Sequence, residues 1–314
     1  MLGNVLRVDL AYLRAHPEHL QTFLTHQRIR ETPISGGSIS QAARLTLDDG
    51  ASVFMKSWPD PSSRTSPAST ATAVPDGFFE AEAEGLRWLA AAGGAPVPEL
   101  IAATSGFVAL EWVEPATPTG SAAHEFGAAL ARTHRAGADA FGAPWSGYIG
   151  SLPLDNTRSR GPWSAWFAER RLRPYLRMAA DSGALPPADV ADVDRLIDNV
   201  DGYAVEADAE VPARLHGDLW PGNLIWSGAG PVYLIDPAAH GGHRETDLAQ
   251  LALFGGAPHL AEIIAGYETE WPLSSGWRSR VPLHQLHLLL VHVAMFGAGY
   301  RDAVMSAVRA TVEQ

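Results

Sequence analysis

The strongest constraint on the chain is the run at 215–237, LHGDLWPGNLIWSGAGPVYLIDP. Its polar landmarks are Asp218, then Asn223, then Asp236. Two short apolar pieces, 224–226 and 232–235, lie between the last two and are separated by Ser-Gly-Ala-Gly-Pro. Alternating apolar residues around a glycine- and proline-bearing break predict a hairpin. Asn223 would stand at one end of it and Asp236 at the other, so their oxygens could converge. A carboxylate at Asp218 can orient or deprotonate a substrate hydroxyl. An amide oxygen at Asn223 and a carboxylate at Asp236 suit magnesium, which prefers hard oxygen ligands. Together these are the parts that phosphoryl transfer needs. His216 is expected to prop the loop by hydrogen bonding rather than to titrate. Asp247, in RETDLAQLALFGG, opens a helix. It is either an acceptor of N–H bonds from the catalytic loop or a plain helix N-terminal carboxylate favoured by the dipole.

Protein kinases place the same groups at H-R-D-x-x-x-x-N and D-F-G. Here Gly217 replaces the arginine, and Asp236-Pro237-Ala238 replaces the second motif. That layout requires a nucleotide lobe, and the first third of the chain reads as one. Strand-like stretches flank ISGGSIS, whose Gly36, Gly37 and Ser38 would let backbone N–H groups approach phosphates. Asp48-Asp49-Gly50 is a hairpin signal, and 51–57 returns as a strand ending near Lys56. Of 23 basic residues Lys56 is the only lysine. A GC-rich genome explains the arginine bias. A lysine that survives it marks a position where a compact point charge on a slim stem serves and a planar fork does not. The helix FFEAEAEGLRWLAAAGG carries three glutamates, of which Glu82 falls in the apolar stripe and is expected to pair with Lys56. Residues 58–77 are rich in Pro, Ser and Thr and predict a surface loop. FVALEWV, at 107–113, reads as an edge strand leading into a hinge, with the backbone of Glu111, Trp112 and Val113 facing adenine.

The remainder is mostly helical: 121–136 with Ser121 as N-cap, 163–180, 187–200, 245–254, 260–271 and 277–312, with an irregular loop over 141–156. The predicted fold class is therefore α+β: a bilobal protein-kinase-like fold with a small β-rich N-lobe, residues 1–113, and a larger, mainly helical C-lobe, residues 114–314.

Composition narrows the function classes. A net charge of −12 argues against nucleic acid or an anionic membrane as partner. The absence of cysteine excludes disulfides, thiol catalysis and cysteine-ligated zinc. No signal peptide or membrane-length apolar run is present, which makes a cytoplasmic enzyme the expectation. His240 with His243, and His284 with His287, do not form a zinc-protease motif and read as core or surface residues. P-loop and nucleophile-elbow motifs are absent.

HGDLWPGN, DPA and GHRETDLAQLALFGG, with ISGGSIS, VFMK, the FFEAEAEGL helix, FGAPWSGYIGSLPLDN and WFAERRL, resemble the fructosamine-3-kinase (ketosamine-3-kinase) family, relatives of the aminoglycoside phosphotransferases. The likeness runs from about residue 30 to 300. Trp220 discriminates most, because general aminoglycoside kinases commonly carry a polar residue there. The resemblance implies ATP and Mg2+ as cofactors, Lys56 on the α/β-phosphates, Asp218 as base, and Asn223 and Asp236 as metal ligands. It implies transfer to the 3-hydroxyl of a free or protein-bound ketosamine, a deglycation, with Asn156, Trp163, Arg171 and Trp220 around the acceptor. Gln250 departs from the apolar residue usual in the family after D-L-A. Other readings are a kinase of an aminoglycoside, sugar or amino alcohol, and an inactive kinase-like binding module.

Overall fold

The structure is a computed structural model that describes residues 8–26, 29–34, 40–58, 74–204, 207–228 and 230–313. The glycine turn with Gly36, Gly37 and Ser38, and most of the 58–77 loop, lie outside the described residues. Two compact units are formed, and no single cut separates them. The first is Met1–Ala83 with Pro98–Glu114; the second is Glu84–Val97 with Pro115–Gln314.

In the first unit, helices α1 (Leu10–Ala15) and α2 (Leu20–Thr25) precede strands β1 (Arg30–Ile34), β2 (Gln41–Thr46) and β3 (Ser52–Ser57). Helix α3 (Phe78–Ala90) begins in this unit, and β4 (Leu100–Ala103) and β5 (Phe107–Glu111) complete it. The five strands form one antiparallel sheet in the order β1-β2-β3-β5-β4. Period-2 alternation sends Ala43, Leu45, Val53 and Met55 inward against Leu13, Leu20 and Phe23 of the helices. β5 is therefore an inner strand. The edge belongs to β4, which is four residues long with a register shift between Leu100 and Ala102, too short for alternation to reveal.

The second unit opens with α4 (Gly120–Arg135). Its N-cap is Thr119, whose hydroxyl accepts from the Ala122 N–H at 3.2 Å; Ser121 already lies inside the helix. The stretch expected to be irregular contains a small hairpin, β6 (Gly147–Ile149) and β7 (Leu152–Leu154). The helix α5 (Trp163–Phe167) runs through a π-helical turn, Ala168–Leu172, into α6 (Arg173–Asp181). Then follow α7 (Pro187–Ile197), α8 (Val200–Tyr203), β8 (Ala213–Leu215), β9 (Leu224–Trp226), β10 (Val232–Leu234), β11 (His240–Gly242) and α9 (Glu245–Gln250). The last helices are α10 (Leu260–Glu270), α11 (Trp277–Phe296) and α12 (Arg301–Val312). Gly297, at φ +82°, breaks what periodicity alone reads as one helix over 277–312. Two apolar cores fill this unit, one around α5, α6, α7, α11 and α12, the other around α4, α10 and the β9–β10 hairpin. Among the described residues no helix is long and apolar enough to cross a membrane.

Candidate active site

β8 and β11 pair antiparallel and release the chain into the loop 216–219. This loop is held from below by side chains of α9. Asp247, fully buried, accepts the His216 N–H at 2.8 Å on Oδ2 and the Gly217 N–H at 2.9 Å on Oδ1. Its Oδ2 also faces His134 Nε2 at 3.1 Å, and the other ring nitrogen of His134 meets the Tyr267 hydroxyl at 2.9 Å. Burial raises the Tyr267 pKa, so this hydroxyl stays protonated and donates. One helical turn beyond Asp247, Gln250 Oε1 accepts the Leu219 N–H at 2.7 Å, and its Nε2 reaches the Gly217 carbonyl at 3.3 Å. Two side chains thus satisfy three N–H groups and one carbonyl of loop backbone that could not otherwise be buried without cost. Sequence reading marked Gln250 only as an oddity. Its signal was an amide on the buried face of a short helix.

His216 donates from Nε2 to the Ile235 carbonyl at 2.8 Å and accepts the Asp218 N–H on Nδ1 at 3.3 Å. Burial lowers its pKa, so the ring is neutral and bridges the loop to the end of β10. Gly217 has φ +83°, and a Cβ there would lie 2.3 Å from the Ala238 carbonyl oxygen. Neither an arginine nor any other side chain fits, which accounts for the glycine.

β9 and β10 form the expected hairpin, in register Leu224↔Leu234. The Ile235 N–H closes it on the Asn223 carbonyl at 3.1 Å. Asn223 and Asp236 accordingly stand side by side at its open end. The Asn223 amide nitrogen donates to Asp218 twice, to the backbone oxygen at 2.7 Å and to Oδ2 at 3.1 Å. This commits the donor end of the amide to Asp218 and turns its oxygen the other way. Asp236 has φ +53°, a left-handed conformation that a short polar side chain tolerates. Asp218, Asn223 and Asp236 are thus brought together within one loop and one hairpin. The donors on offer to a cation are an amide oxygen and a carboxylate, without imidazole or sulfur. That set fits magnesium.

In the first unit Lys56 lies on β3, opposite Ala42 and Val108. Its Nζ contacts Glu82 Oε2 of α3 at 2.8 Å, with both residues buried. A charge pair is tolerated at this depth because each partner neutralises the other. Beyond the last β3–β5 pair, Val53 with Glu111, the chain leaves the sheet as Trp112 and Val113. The Trp112 indole donates to Glu114 at 2.8 Å, and the Arg44 guanidinium lies over its ring at 4.5 Å.

The residues assigned to the acceptor divide. Trp163, 1% exposed, is stacked among Phe167, His243 and His284 in the core. Arg171 is equally buried: it donates to the Asp155 carbonyl at 2.7 Å and to Asn156 Oδ1 at 2.9 Å, and lies over Trp166. Burial pulls its pKa down to about 9. Direct acceptor contact by Trp163 and Arg171 is incompatible with this packing. Both are scaffold, and Asn156, also buried, is the partner of Arg171. The π-helical turn at 168–172 widens the helix where Arg171 turns into the core. Trp220 alone of the four is partly accessible. Its ring lies on Gly222, where a Cβ would be 2.1 Å from the indole.

His243, Glu245 and His284 present possible ligand atoms within 4.8 Å of one another. Arg280 donates to both oxygens of Glu245, at 2.9 and 2.7 Å, so the carboxylate already has its cation.

A family model described as fructosamine kinase matches residues 14–314. A protein of Thermobifida fusca YX-ER1, solved by crystallography under the name "putative fructosamine-3-kinase", is 47% identical. The match covers 91% of this chain and 94% of that one, with a TM-score of 0.82. An Enterococcus faecium protein named a probable ketoamine kinase is 32% identical over 289 residues, 91% of this chain and 97% of its own length. A choline kinase of Streptococcus pneumoniae, 16% identical with a TM-score of 0.62 over 94% of this chain and 97% of that one, shares the fold. That fold is α+β and protein-kinase-like, and the chemistry that goes with the family is ATP-dependent phosphoryl transfer. The chain belongs to the fructosamine kinase family.

Proposed function

We propose that this protein transfers the γ-phosphoryl group of ATP to the 3-hydroxyl of a ketosamine, and that Asp218 is the residue that receives the hydroxyl proton. The observation that carries the reading is the clamp of Asn223 on Asp218 at 2.7 and 3.1 Å, with Asp236 at the same end of the hairpin. Asp218 orients the acceptor O–H and takes its proton as the oxygen bonds to phosphorus. ADP departs with the electrons of the broken P–O bond. Lys56, kept in place by Glu82, neutralises the α- and β-phosphates. The backbone of Glu111, Trp112 and Val113 takes the adenine edge, and Gly36, Gly37 and Ser38 cover the phosphates. Asn223 and Asp236 would hold magnesium, which supplies charge neutralisation on the phosphates. His216, Asp247 and Gln250 fix the loop so that Asp218 need not reorganise during the reaction.

The family and Trp220 favour a ketosamine over an aminoglycoside, sugar or amino alcohol. The resulting 3-phosphate is unstable and releases the amine, so the reaction removes a glycation adduct. The test is ATP consumption with fructosyl-lysine and ribulosyl-lysine, set against an aminoglycoside panel. Turnover confined to the ketosamines is expected. Turnover confined to the aminoglycosides, or tight Mg-ATP binding with no turnover of any acceptor, would overturn the assignment.

A further inference from the structure

The catalytic loop does not end at Asp218. Two residues on, Trp220 carries an aromatic surface away from it. Its ring meets Phe254 edge-on at 5.9 Å. Phe254 packs on His292 at 4.6 Å and on Tyr300 at 6.0 Å, and Phe296 closes the group against His292 at 5.5 Å and Tyr300 at 6.1 Å. All five belong to the second unit. Among the described residues the exposed large hydrophobics are Val211, Phe254, Phe296 and Val312, so both exposed phenylalanines fall in this one cluster, at 42% and 43%.

Two further facts mark it as more than incidental surface. Phe254 has φ +53°, a left-handed backbone that a bulky side chain adopts only at a cost. The ring at this strained position is nonetheless left 42% exposed. The imidazole at the centre of the patch is also electrically quiet. His292 Nδ1 donates to the Leu288 carbonyl at 2.8 Å, and burial lowers its pKa, leaving the ring neutral. Arg301, which follows Tyr300 at the start of α12, is held in a bidentate pair with Asp189.

We propose that this patch is the subsite for the amine-bearing half of the acceptor, and that it selects ketosamines whose amine carries an apolar, ring-bearing body. The inference rests on the ketosamine reading above and extends it to specificity. Ketosamine chemistry supplies the match. The amine lies two carbons from the reacting hydroxyl and is protonated at neutral pH. With the hydroxyl at Asp218, the ammonium falls toward the indole of Trp220, the aromatic face best suited to a cation. Whatever the nitrogen bears then runs along Phe254 toward Phe296 and Tyr300. A hydrophobic carrier buries area there, whereas a small polar one gains nothing. The continuity of the patch with the loop that bears the base selects this occupant over a second copy of the chain.

The experiment compares kcat/KM for two ketosamines with the same sugar, N-fructosyl-phenethylamine and N-fructosyl-methylamine. The ratio does not depend on the fraction of enzyme that is folded. It is expected to exceed about tenfold in the native protein, the gain from burying one ring. In Phe254→Ser, and independently in Phe296→Ser, it should fall to within about threefold of unity. A native ratio near one, or a high ratio that both variants retain, overturns the subsite. A native dimer that either variant dissociates, with the ratio unchanged, assigns the patch to self-association and equally overturns it. Absence of turnover with either ketosamine would instead refute the proposed function.

Discussion

The loop at 216–219 and the aromatic surface that begins at Trp220 are covalent neighbours built on opposite principles. In the loop, the backbone N–H groups of His216, Gly217, Asp218 and Leu219 all find side-chain acceptors, supplied by Asp247, His216 and Gln250. Those acceptors are buried, and their geometry leaves little room for substitution. The aromatic surface is held mainly by ring packing, with one hydrogen bond from His292 to the Leu288 carbonyl, and two of its members are exposed. Polar saturation fixes atoms in place, because a buried group that loses its partner costs about 1–3 kcal/mol. Ring packing is tolerant of change. The contrast teaches that the part executing a fixed reaction is rigidly specified, while the part choosing among acceptors can vary without disturbing it.

Variants can break this contrast. Asp218→Asn removes the proton acceptor and should lower kcat by about a thousandfold, alike for every acceptor, with ATP affinity retained. Steady-state kinetics together with calorimetric ATP titration check it, and full retained activity would remove Asp218 from its role. Asp247→Ala strands two loop N–H groups and His134 at once. A stability loss of about 3 kcal/mol is expected, read from denaturant titration, together with a large loss of turnover.

Gln250→Leu should be milder, because the neighbouring Asp247 anchors remain. It leaves the Leu219 N–H without its acceptor, a cost of about 1–2 kcal/mol. The expected signature is a fall in kcat of about tenfold with KM for ATP unchanged, since the loop is displaced and the Lys56 pair is not. An unchanged kcat would make Gln250 a filler rather than a positioning residue.

The last effect requires no substitution and appears only on acidification. Burial lowers the folded-state pKa of His216, His240, His243 and His287. Each is neutral when folded, while the unfolded chain takes up its protons near pH 6.5. Stability is therefore full above that value and declines as pH falls below it, by up to about 1.4 kcal/mol per pH unit for each group. Thermal melts at pH 7.5, 6.5 and 5.5 should show a progressively steeper drop in Tm. A flat profile would mean that these rings are not held neutral.

What was legible in the sequence was what is encoded locally. Asn223 and Asp236 come to the same end of a short hairpin, and alternation with a Gly-Pro break is visible in one dimension. Lys56 stood out through composition, and Glu82 through its place in an apolar stripe. Asp247 was readable as one of two possibilities, and its bonds to the loop span thirty residues that no local pattern connects. Gln250 was flagged without a role for the same reason. Two of the residues expected at the acceptor lie in the core for a different reason. Trp163 and Arg171 are residue types that often line a sugar site, but whether a helix face meets ligand or core depends on what packs over it. Phe254 and Tyr300 are brought to Trp220 by the ends of separate helices, which periodicity cannot pair.

The most direct measurement is 31P-coupled NMR of the product formed from ATP and a fructosyl amine enriched with 13C in the sugar. Phosphorus coupling to C3 is predicted, followed by the appearance of free amine, with neither signal in Asp218→Asn. Coupling to another carbon, or a stable phosphorylated product that keeps its amine, would contradict the account.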